Sequence, residues 1–382
     1  MDKPRLRVLH VGNVANNAYL NAKLLSSVGL DCDVLAYAHY HIMGCPEWEE
    51  SEFTASRPID ESRPDWGDVD LHGFVRPRWF AQGPLLDAVA YLEARRTGSP
   101  TAGLRWTWLE FRRQLITSRR WQWLRAIRAR VAPPATAAIA PAPAADPAAD
   151  LERYSRIRGW NRSAVTRLFR RYDVIHAYGA EPVLAMAAGV HPYLAFEHGT
   201  LRSLPFENSL EGRLTALAYQ SADMVIITNA DNRVAAERLR LPRYRFVPHP
   251  VNETPAAERR VDELRRDLRS RLAADFIVFH PSRHHWEPAR NPHLEKGNDR
   301  LIEGLARFFR VRPRAAAVFV KWGATVQASR ALLAEHLSYL FAHDHERREL
   351  GRRAQERMRE FSSAQAAATF DARLASLPER AP

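Results

Sequence analysis

Apolar and polar residues at the beginning of the chain follow two periods in turn. The apolar run from Leu6 to Val11 predicts a buried strand, and Gly12 ends it. From Asn17 to Val28 apolar residues recur every three or four positions, which predicts an amphipathic helix, and the run from Asp33 to Ala38 predicts a second strand. A strand, a glycine turn, a helix and a strand in this order predict a βαβ unit in a parallel sheet.

The same alternation returns in the middle of the chain and predicts more strands of that sheet. Helical stretches near 181–189, 209–221 and 230–240 separate four apolar runs. These predicted strands are Asp173 to Ala177, Tyr193 to Phe196, Met224 to Thr228 and Tyr244 to Val247. We therefore expect residues 1–251 to form a Rossmann-like lobe that a long insertion, at about 40–150, interrupts.

The insertion has no sustained periodicity over residues 40–103 and two unusual segments after them. Residues 104–131 mix aromatic and apolar side chains with eight arginines and one acidic residue, Glu110. Three structures are compatible with this pattern: an interfacial helix on an anionic membrane, a nucleic-acid patch, or a helix packed on the lobe with solvated arginines. Residues 132–150 are almost entirely alanine, proline and aspartate, which predicts an extended linker.

A second and shorter α/β segment follows residue 251. The pattern predicts a charged helix at about 259–273, a strand from Phe276 to Phe279, a helix from Asp299 to about Arg310 and a strand from Ala316 to Val320. The rest has the pattern of helices. We expect residues 252–345 to form a partial second lobe and residues 346–382 a helical tail.

Composition and charge narrow the class of protein. With 46% hydrophobic residues the chain can bury a real core, and its two cysteines exclude a disulfide scaffold. No apolar run approaches the roughly 20 residues of a membrane span. The first residues show no signal-peptide pattern, so we expect a cytoplasmic protein, soluble or peripheral to the inner face of the membrane. The net charge of +12 favours anionic partners such as phosphates or acidic lipids.

Residues that follow the predicted strands of the first lobe are candidates for a ligand site, because ligands of open parallel sheets sit at the carboxyl ends of strands. Gly12 and Asn13 end the first strand, where they suit an anion at the next helix or simply form the turn. His198, followed by Gly199 and Thr200, comes directly after another predicted strand. This histidine can donate a hydrogen bond into a cleft, or it can be a structural residue.

The loop after the Phe276 to Phe279 strand carries the strongest charge signal. Ser282 and Arg283 begin this loop, and Lys296 and Gly297 open the next predicted helix. A guanidinium and an ammonium on either side of one loop, beside a helix N-terminus, suit a diphosphate. Only four of the 56 basic residues are lysines, so Lys296 is a stronger signal here than another arginine would be. The alternative is that both are ordinary solvated cations.

Five short segments together resemble the retaining glycosyltransferases of family 4: residues 8–13, 197–200, 246–251, 281–283 and 295–302. The resemblance implies an α/β, GT-B-like fold of two Rossmann-like lobes, the second of them truncated here. It also implies transfer of a sugar, with retention, from a nucleotide diphosphate donor to a glycan or lipid-linked acceptor, as in polysaccharide biosynthesis. The nucleotide sugar is then a co-substrate, and neither a metal nor another cofactor is expected.

The resemblance also assigns roles to the candidate residues. Arg283 and Lys296 would hold the donor diphosphate and stabilise the charge on the leaving group. His198 would contact the transferred sugar. Gly12 and Asn13 would lie near the donor phosphates and the acceptor. The remaining predicted donor contacts are Gly199, Thr200, Ser282 and Gly297.

One block of the family pattern has no counterpart in this sequence. Residues 334–336 run directly into residues 337–341 and then 347–351, and the latter segment resembles the closing helices of the family. The intervening strand–helix units, which carry a Glu-x7-Glu motif and a glycine-rich turn, are missing. We therefore expect weak donor binding. The alternatives are a non-catalytic remnant that binds a glycan or an anionic surface, and a basic nucleic-acid-binding protein, for which the sequence contains no recognisable motif.

Overall fold

The computed structural model of the protein describes residues 5–37, 39–51, 54–55, 59–118, 146–249 and 258–282, with residues 301, 304, 305, 308, 312 and 314–319. The described residues as far as His249 form one compact unit, and those from Glu258 onwards belong to a second. Both units combine helices with parallel strands.

A parallel sheet of seven strands forms the centre of the first unit. In chain order the strands of this unit are β1 (Arg7–Val11), β2 (Asp31–Tyr37), β3 (Thr54–Ala55), β4 (Val69–Asp70), β5 (Phe80–Gly83), β6 (Val174–Tyr178), β7 (Tyr193–Phe196), β8 (Met224–Ile227) and β9 (Tyr244–Phe246). β3 and β4 form a separate antiparallel pair. The order across the large sheet is β5-β2-β1-β6-β7-β8-β9, which is the doubly wound order of a Rossmann-like sheet.

The helices of the first unit begin and end where local chemistry allows. They are α1 (Asn17–Ser27), α2 (Pro46–Glu50), α3 (Leu85–Arg96), α4 (Ala102–Thr117), α5 (Pro147–Ile157), α6 (Arg162–Phe169), α7 (Pro182–Ala188), α8 (Leu210–Gln220) and α9 (Asn232–Arg238). Ser209 caps α8 by accepting a hydrogen bond from the backbone N–H of Gly212 at 3.0 Å. Proline begins α7, and Gly189 ends it in the left-handed conformation.

The core lies on both faces of the sheet, because each face of a parallel sheet is covered by helices. Leu9 and Ile175 belong to one buried cluster, which side chains of α3, α6, α7 and α8 complete. Val8 and Val174 belong to the opposite cluster, together with side chains of α1. Every residue of β6 and β7 is buried. The central strands are therefore held from both sides, and their carboxyl ends have fixed positions.

The βαβ opening and the four later strands predicted from the sequence are confirmed, with ends that agree within two residues. The α/β class with a Rossmann-like sheet is therefore confirmed. The sequence pattern missed β5 and α3, which lie in the segment without periodicity. β5 is only four residues long and carries a buried polar residue, Gln82, which accepts a hydrogen bond from Arg76 Nη1 at 2.7 Å.

The predicted linker 132–150 is wrong at its C-terminal end, because α5 begins at Pro147. The Asp146 side chain caps this helix by accepting a hydrogen bond from the backbone N–H of Ala148 at 3.3 Å, and proline suits the first helical position. Asp150 is buried and pairs with Arg213 at 2.8 Å. Residues 132–145 lie outside the described residues.

The described part of the second unit contains one long helix, two strands and four further helical residues, at 301, 304, 305 and 308, which lie in the helix predicted from Asp299 to about Arg310. The long helix is α10 (Glu258–Leu272), and the strands are β10 (Phe276–His280) and β11 (Ala315–Phe319), which pair in parallel. The predicted charged helix and both predicted strands of this segment are confirmed. The predicted tail at 346–382 and most of the loop after β10 lie outside the described residues. None of the helices in the described ranges is both long and apolar enough to cross a bilayer.

Candidate functional site

The strand order places a crevice between β1 and β6. From β1 the chain continues to β2 on one side, and from β6 it continues to β7 on the other side. The loops after β1 and β6 therefore lead to opposite faces of the sheet. Ligands of doubly wound folds bind at such a switch point, outside the carboxyl ends of the strands. The loops after β1, β6 and β7 are therefore the first candidates, and two of them carry residues predicted from the sequence.

Gly12 allows the loops after β1 and β6 to lie close together, because it has no side chain. Its φ of +85° is in the left-handed region, and a Cβ atom would lie 2.7 Å from Cγ of Glu181 and 3.4 Å from the carbonyl oxygen of Tyr178. Its backbone N–H donates to the carbonyl oxygen of Leu35 at 2.9 Å. Only glycine satisfies both the conformation and the close approach.

Asn13 lies inside the loop after β1 and holds its shape. Its side chain is buried, and Nδ2 donates to the Gly44 carbonyl oxygen and to Oδ1 of Asn16, both at 2.9 Å. Its Oδ1 accepts a hydrogen bond from the backbone N–H of Tyr19 at 3.1 Å. The side-chain amide of Asn13 therefore forms its hydrogen bonds within the protein, and it stabilises the conformation of this loop.

His198 follows β7 and lies against the loop after β1. Nδ2 of Asn17 is 3.3 Å from Nδ1 of His198, and the same Nδ2 donates to the carbonyl oxygen of Val14 at 2.9 Å. Because the carbonyl oxygen can only accept, it fixes the orientation of the Asn17 amide with its N–H groups towards the histidine. Nδ1 of His198 therefore accepts, and in the neutral ring Nε2 carries the hydrogen.

The surroundings of His198 keep its ring neutral. Burial is the main cause that lowers its pKa, to about 4, and the neighbouring His249 and Arg202 lower it further. The ring of His249 is 5.5 Å away and nearly perpendicular. At pH 7 His198 is thus an uncharged hydrogen-bond donor at the carboxyl edge of the sheet.

Gly199 and Thr200 complete the meeting of the three loops. Gly199 has a φ of +81° and precedes a short 3-10 helix, Thr200–Arg202. A Cβ atom on Gly179, which follows β6, would lie 3.6 Å from Oγ1 of Thr200 and 3.9 Å from Cγ2 of Val14. The loops after β1, β6 and β7 therefore lie close together around two glycines, Gly12 and Gly179.

Glu181, which was not among the residues selected from the sequence, places a carboxylate beside Gly12. Glu181 follows β6, packs on Gly12 and accepts a hydrogen bond from the hydroxyl of Tyr37 at the end of β2. Burial raises the pKa of Glu181, while the Tyr37 hydrogen bond and the charge of Arg158 oppose that shift. An acidic residue four positions after a predicted strand was the available signal, although it does not show which way the side chain points.

A second buried carboxylate lies beside His198. Glu197 is fully buried, and burial raises its pKa, against the opposing contacts with Asn232 and the backbone of Gly199 and Thr228. It fixes the turn that carries His198 rather than facing solvent.

Among the residues predicted to bind the diphosphate, the structure describes Ser282. Ser282 lies two residues after the end of β10 and is partly buried. Arg283, Lys296 and Gly297 lie outside the described residues. The structure thus brings together Gly12, Asn13, His198, Gly199 and Thr200, and the roles of Arg283 and Lys296 stay predictions.

Comparison with known proteins gives matches to solved structures. No protein-family model and no curated protein sequence matches this chain. The structure is similar to that of HepE from Anabaena in complex with UDP-glucose, with 21% identity and a TM-score of 0.32 over 41% of this chain. This chain covers only 42% of the HepE chain.

Two further structures are similar over more of the chain. For sucrose-phosphate synthase from Thermosynechococcus elongatus the identity is 11% and the TM-score 0.43, over 97% of this chain and 99% of that one. For α,α-trehalose 6-phosphate synthase from Burkholderia multivorans the identity is 15% and the TM-score 0.38, over 86% of this chain and 67% of that one. The likeness concerns the fold alone.

Proposed function

We propose that this protein is a glycosyltransferase of the GT-B type, which transfers a sugar from a nucleotide diphosphate donor to a glycan or lipid-linked acceptor with retention. The observation that carries the proposal is the neutral His198, which follows β7 and lies against the loop after β1, where Asn17 contacts its Nδ1 and leaves Nε2–H to donate. The ordered sequence segments that resemble retaining glycosyltransferases of family 4 support the same conclusion.

His198 acts in this proposal as a donor to a hydroxyl group of the transferred sugar. A neutral imidazole suits this role, because it binds a hydroxyl without placing a cation beside the positive charge that develops on the sugar ring in the transition state. The bond between the anomeric carbon and the phosphate oxygen breaks, and the acceptor oxygen forms the new bond. The acceptor proton leaves with the nucleoside diphosphate.

Arg283 and Lys296 are proposed to bind the two phosphates, with Ser282 and Gly297 beside them. Catalysis then consists mainly of placement and of charge stabilisation on the departing diphosphate, without a metal or another cofactor. A cytoplasmic enzyme in peripheral contact with a membrane would reach a lipid-linked acceptor of polysaccharide biosynthesis, whereas a soluble glycan needs no such contact.

The test is nucleotide release from UDP-glucose and GDP-mannose by the full chain. Arg283→Ala should lower the release by roughly 10- to 100-fold, the loss expected for one charge-assisted contact. Arg314→Ala is the matched control, because Arg314 precedes β11 and pairs with Asp275 at 2.8 Å. Equal release by the Arg283→Ala variant and the wild type would refute the diphosphate assignment.

A non-catalytic remnant is the second candidate, because the sequence lacks the Glu-x7-Glu block of the family. It predicts that the chain binds a glycan or an anionic surface and turns over neither sugar donor. Turnover of UDP-glucose or GDP-mannose by the full chain contradicts this candidate.

A further inference from the structure

Helix α4 carries an exposed apolar stripe on its outer face. The four side chains are spaced four, three and four residues apart, which places them on one side of an α-helix: Leu104, Trp108, Phe111 and Leu115. Leu104 is 76% exposed, Trp108 50%, Phe111 52% and Leu115 36%. The rings of Trp108 and Phe111 lie 5.7 Å apart, so the stripe is continuous at its centre. We call these four residues the α4 stripe.

The inner face of α4 already accounts for the packing of the helix on the first unit. Leu109 is fully buried, and a Cβ atom on Gly83 of β5 would lie within 2.4 Å of its Cδ1. The ring of Trp106 lies 5.0 Å from that of Tyr91 on α3. The apolar residues of the α4 stripe are therefore not needed to hold the helix in place, which leaves their exposure to be explained.

Positive charge flanks the α4 stripe. Arg105 and Arg112 lie along one side of it, and the guanidinium of Arg112 is 5.7 Å from the centre of the Trp108 ring. The other side carries the uncharged Thr107 and Gln114. Glu110, the acidic residue of α4, forms its ion pair with the buried Arg113 at 2.8 Å, on the inner part of the helix. Asp87 of α3 pairs with Arg112 at 3.5 Å and accepts a hydrogen bond from Nε1 of Trp108 at 3.2 Å, so the positive charge that Asp87 does not offset is that of Arg105.

We propose that the α4 stripe is a docking surface for a bilayer that contains anionic phospholipids. The helix is roughly 24 Å long and lies with its apolar side chains along one line, so all four can enter the headgroup region together when the axis is parallel to the membrane. Tryptophan and phenylalanine suit this depth, and Arg105 can reach lipid phosphates from it.

A second copy of the chain is a weaker occupant for this surface. The exposed area of the four side chains is on the order of 400 Å², about half of what each partner of a standard protein interface buries. A bilayer needs no such complementary area, because each apolar side chain that enters it contributes separately. The proposal does not depend on sugar transfer, so it can be tested independently of the proposed function.

The experiment is co-sedimentation of the full chain with vesicles of phosphatidylcholine alone and of phosphatidylcholine with phosphatidylglycerol. A protein of charge +12 is attracted to any anionic surface, so the decisive comparison is between two charge-matched double variants. L104E/F111E alters the α4 stripe. V75E/V234E makes the same changes of charge at two apolar residues that are 83% and 70% exposed elsewhere on the first unit.

The wild type and V75E/V234E should sediment with the anionic vesicles, and L104E/F111E should lose about tenfold in the vesicle partition coefficient. Equal sedimentation of the two double variants would overturn the proposal, because attraction would then come from charge alone. A wild type that stays in the supernatant with anionic vesicles overturns it as well.

Two other occupants give distinct results, and each also overturns the proposal. A wild-type dimer in light scattering that L104E/F111E converts to a monomer, without vesicle binding, assigns the stripe to a second copy. Binding of a single-stranded oligonucleotide that only L104E/F111E abolishes, again without vesicle binding, assigns it to nucleic acid. Circular dichroism and a thermal transition like those of the wild type show that the variants are folded.

Discussion

Nδ2 of Asn17 lies 3.3 Å from Nδ1 of His198, and this contact connects the start of α1 with the turn after β7. It selects the tautomer in which Nε2 of His198 carries the hydrogen, since the amide of Asn17 donates and cannot accept at that atom. The chemistry proposed for His198 therefore depends on a residue in another loop.

Replacement of Asn17 by aspartate should reverse this arrangement. A carboxylate accepts a hydrogen bond from Nδ1–H and stabilises the imidazolium ion, so Asn17→Asp should raise the pKa of His198 from about 4 to above its ordinary value of 6.5. Nitrogen-15 NMR of the ring measures both the tautomer and the pKa. Asn17→Ala should leave the pKa low, and a low pKa in Asn17→Asp would contradict the contact.

The buried His10 predicts a loss of stability in acid. Burial lowers its pKa to about 3, whereas the unfolded chain has the ordinary value of 6.5. Between these values the unfolded state binds more protons than the folded state, so the free energy of unfolding falls as the pH falls from about 6.5 towards 3. This loss amounts to on the order of 4 kcal/mol. Below pH 3 this contribution changes no further.

Urea unfolding at a series of pH values measures this effect. His10→Gln should flatten the decline between pH 6.5 and 3, although it also alters the hydrogen bond of Nδ1 with the Tyr178 hydroxyl at 2.8 Å. His191→Gln is the comparison: that side chain is 57% exposed and lies 2.8 Å from Asp223, and loss of a contact between an imidazolium and a carboxylate cannot flatten the decline in acid. A decline as steep in His10→Gln as in the wild type would exclude His10 as a source.

Gly12→Ala should destabilise the first unit by about 1–3 kcal/mol, because a Cβ atom both strains the backbone and meets Glu181. Gly29→Ala separates the two effects: its φ is +99°, and a Cβ atom there would meet nothing within 4 Å. The free energy of unfolding in urea should fall more for Gly12→Ala than for Gly29→Ala. Equal losses would mean that the close approach to Glu181 is unimportant.

The ion pair between Glu47 and Arg76 is buried and should be sensitive to the loss of one partner. The two side chains are joined at 2.6 Å, and both are almost inaccessible to solvent. Glu47→Gln leaves the guanidinium without a counterion and should cost about 3–5 kcal/mol. Glu50→Gln, which breaks the exposed pair with Lys23, should cost less than about 1 kcal/mol, and a similar cost for both would contradict the account.

The parts of the fold that the sequence predicts are those with a strong apolar period. β1, β6 and β7 are continuous apolar runs because both faces of each strand are buried, and they were found almost to the residue. β5 was missed because a four-residue edge strand with a buried glutamine has no such period. α5 was missed at its start because proline and alanine are also typical of linkers, and only the cap at Asp146 makes them helical.

The candidate site was predictable to the extent that strand ends are predictable. Gly12 and His198 follow strands, so the pattern selected them without any knowledge of their contacts. Asn17 and Glu181 were not selected, because the direction of a side chain and its partner in a distant loop depend on packing. The same limit applied to α4, where the sequence could not show which aromatic residues face the core and which form the α4 stripe.

The most direct test of the central claim is a titration of the full chain with UDP-glucose and GDP-mannose, followed through the ring nitrogens of its histidines. The account predicts that at least one donor shifts the Nε2 signal of His198 and leaves that of His191, at the opposite edge of the sheet, unchanged. If both donors leave the His198 signal unmoved at saturating concentration, His198 does not contact the sugar and the proposed site is wrong.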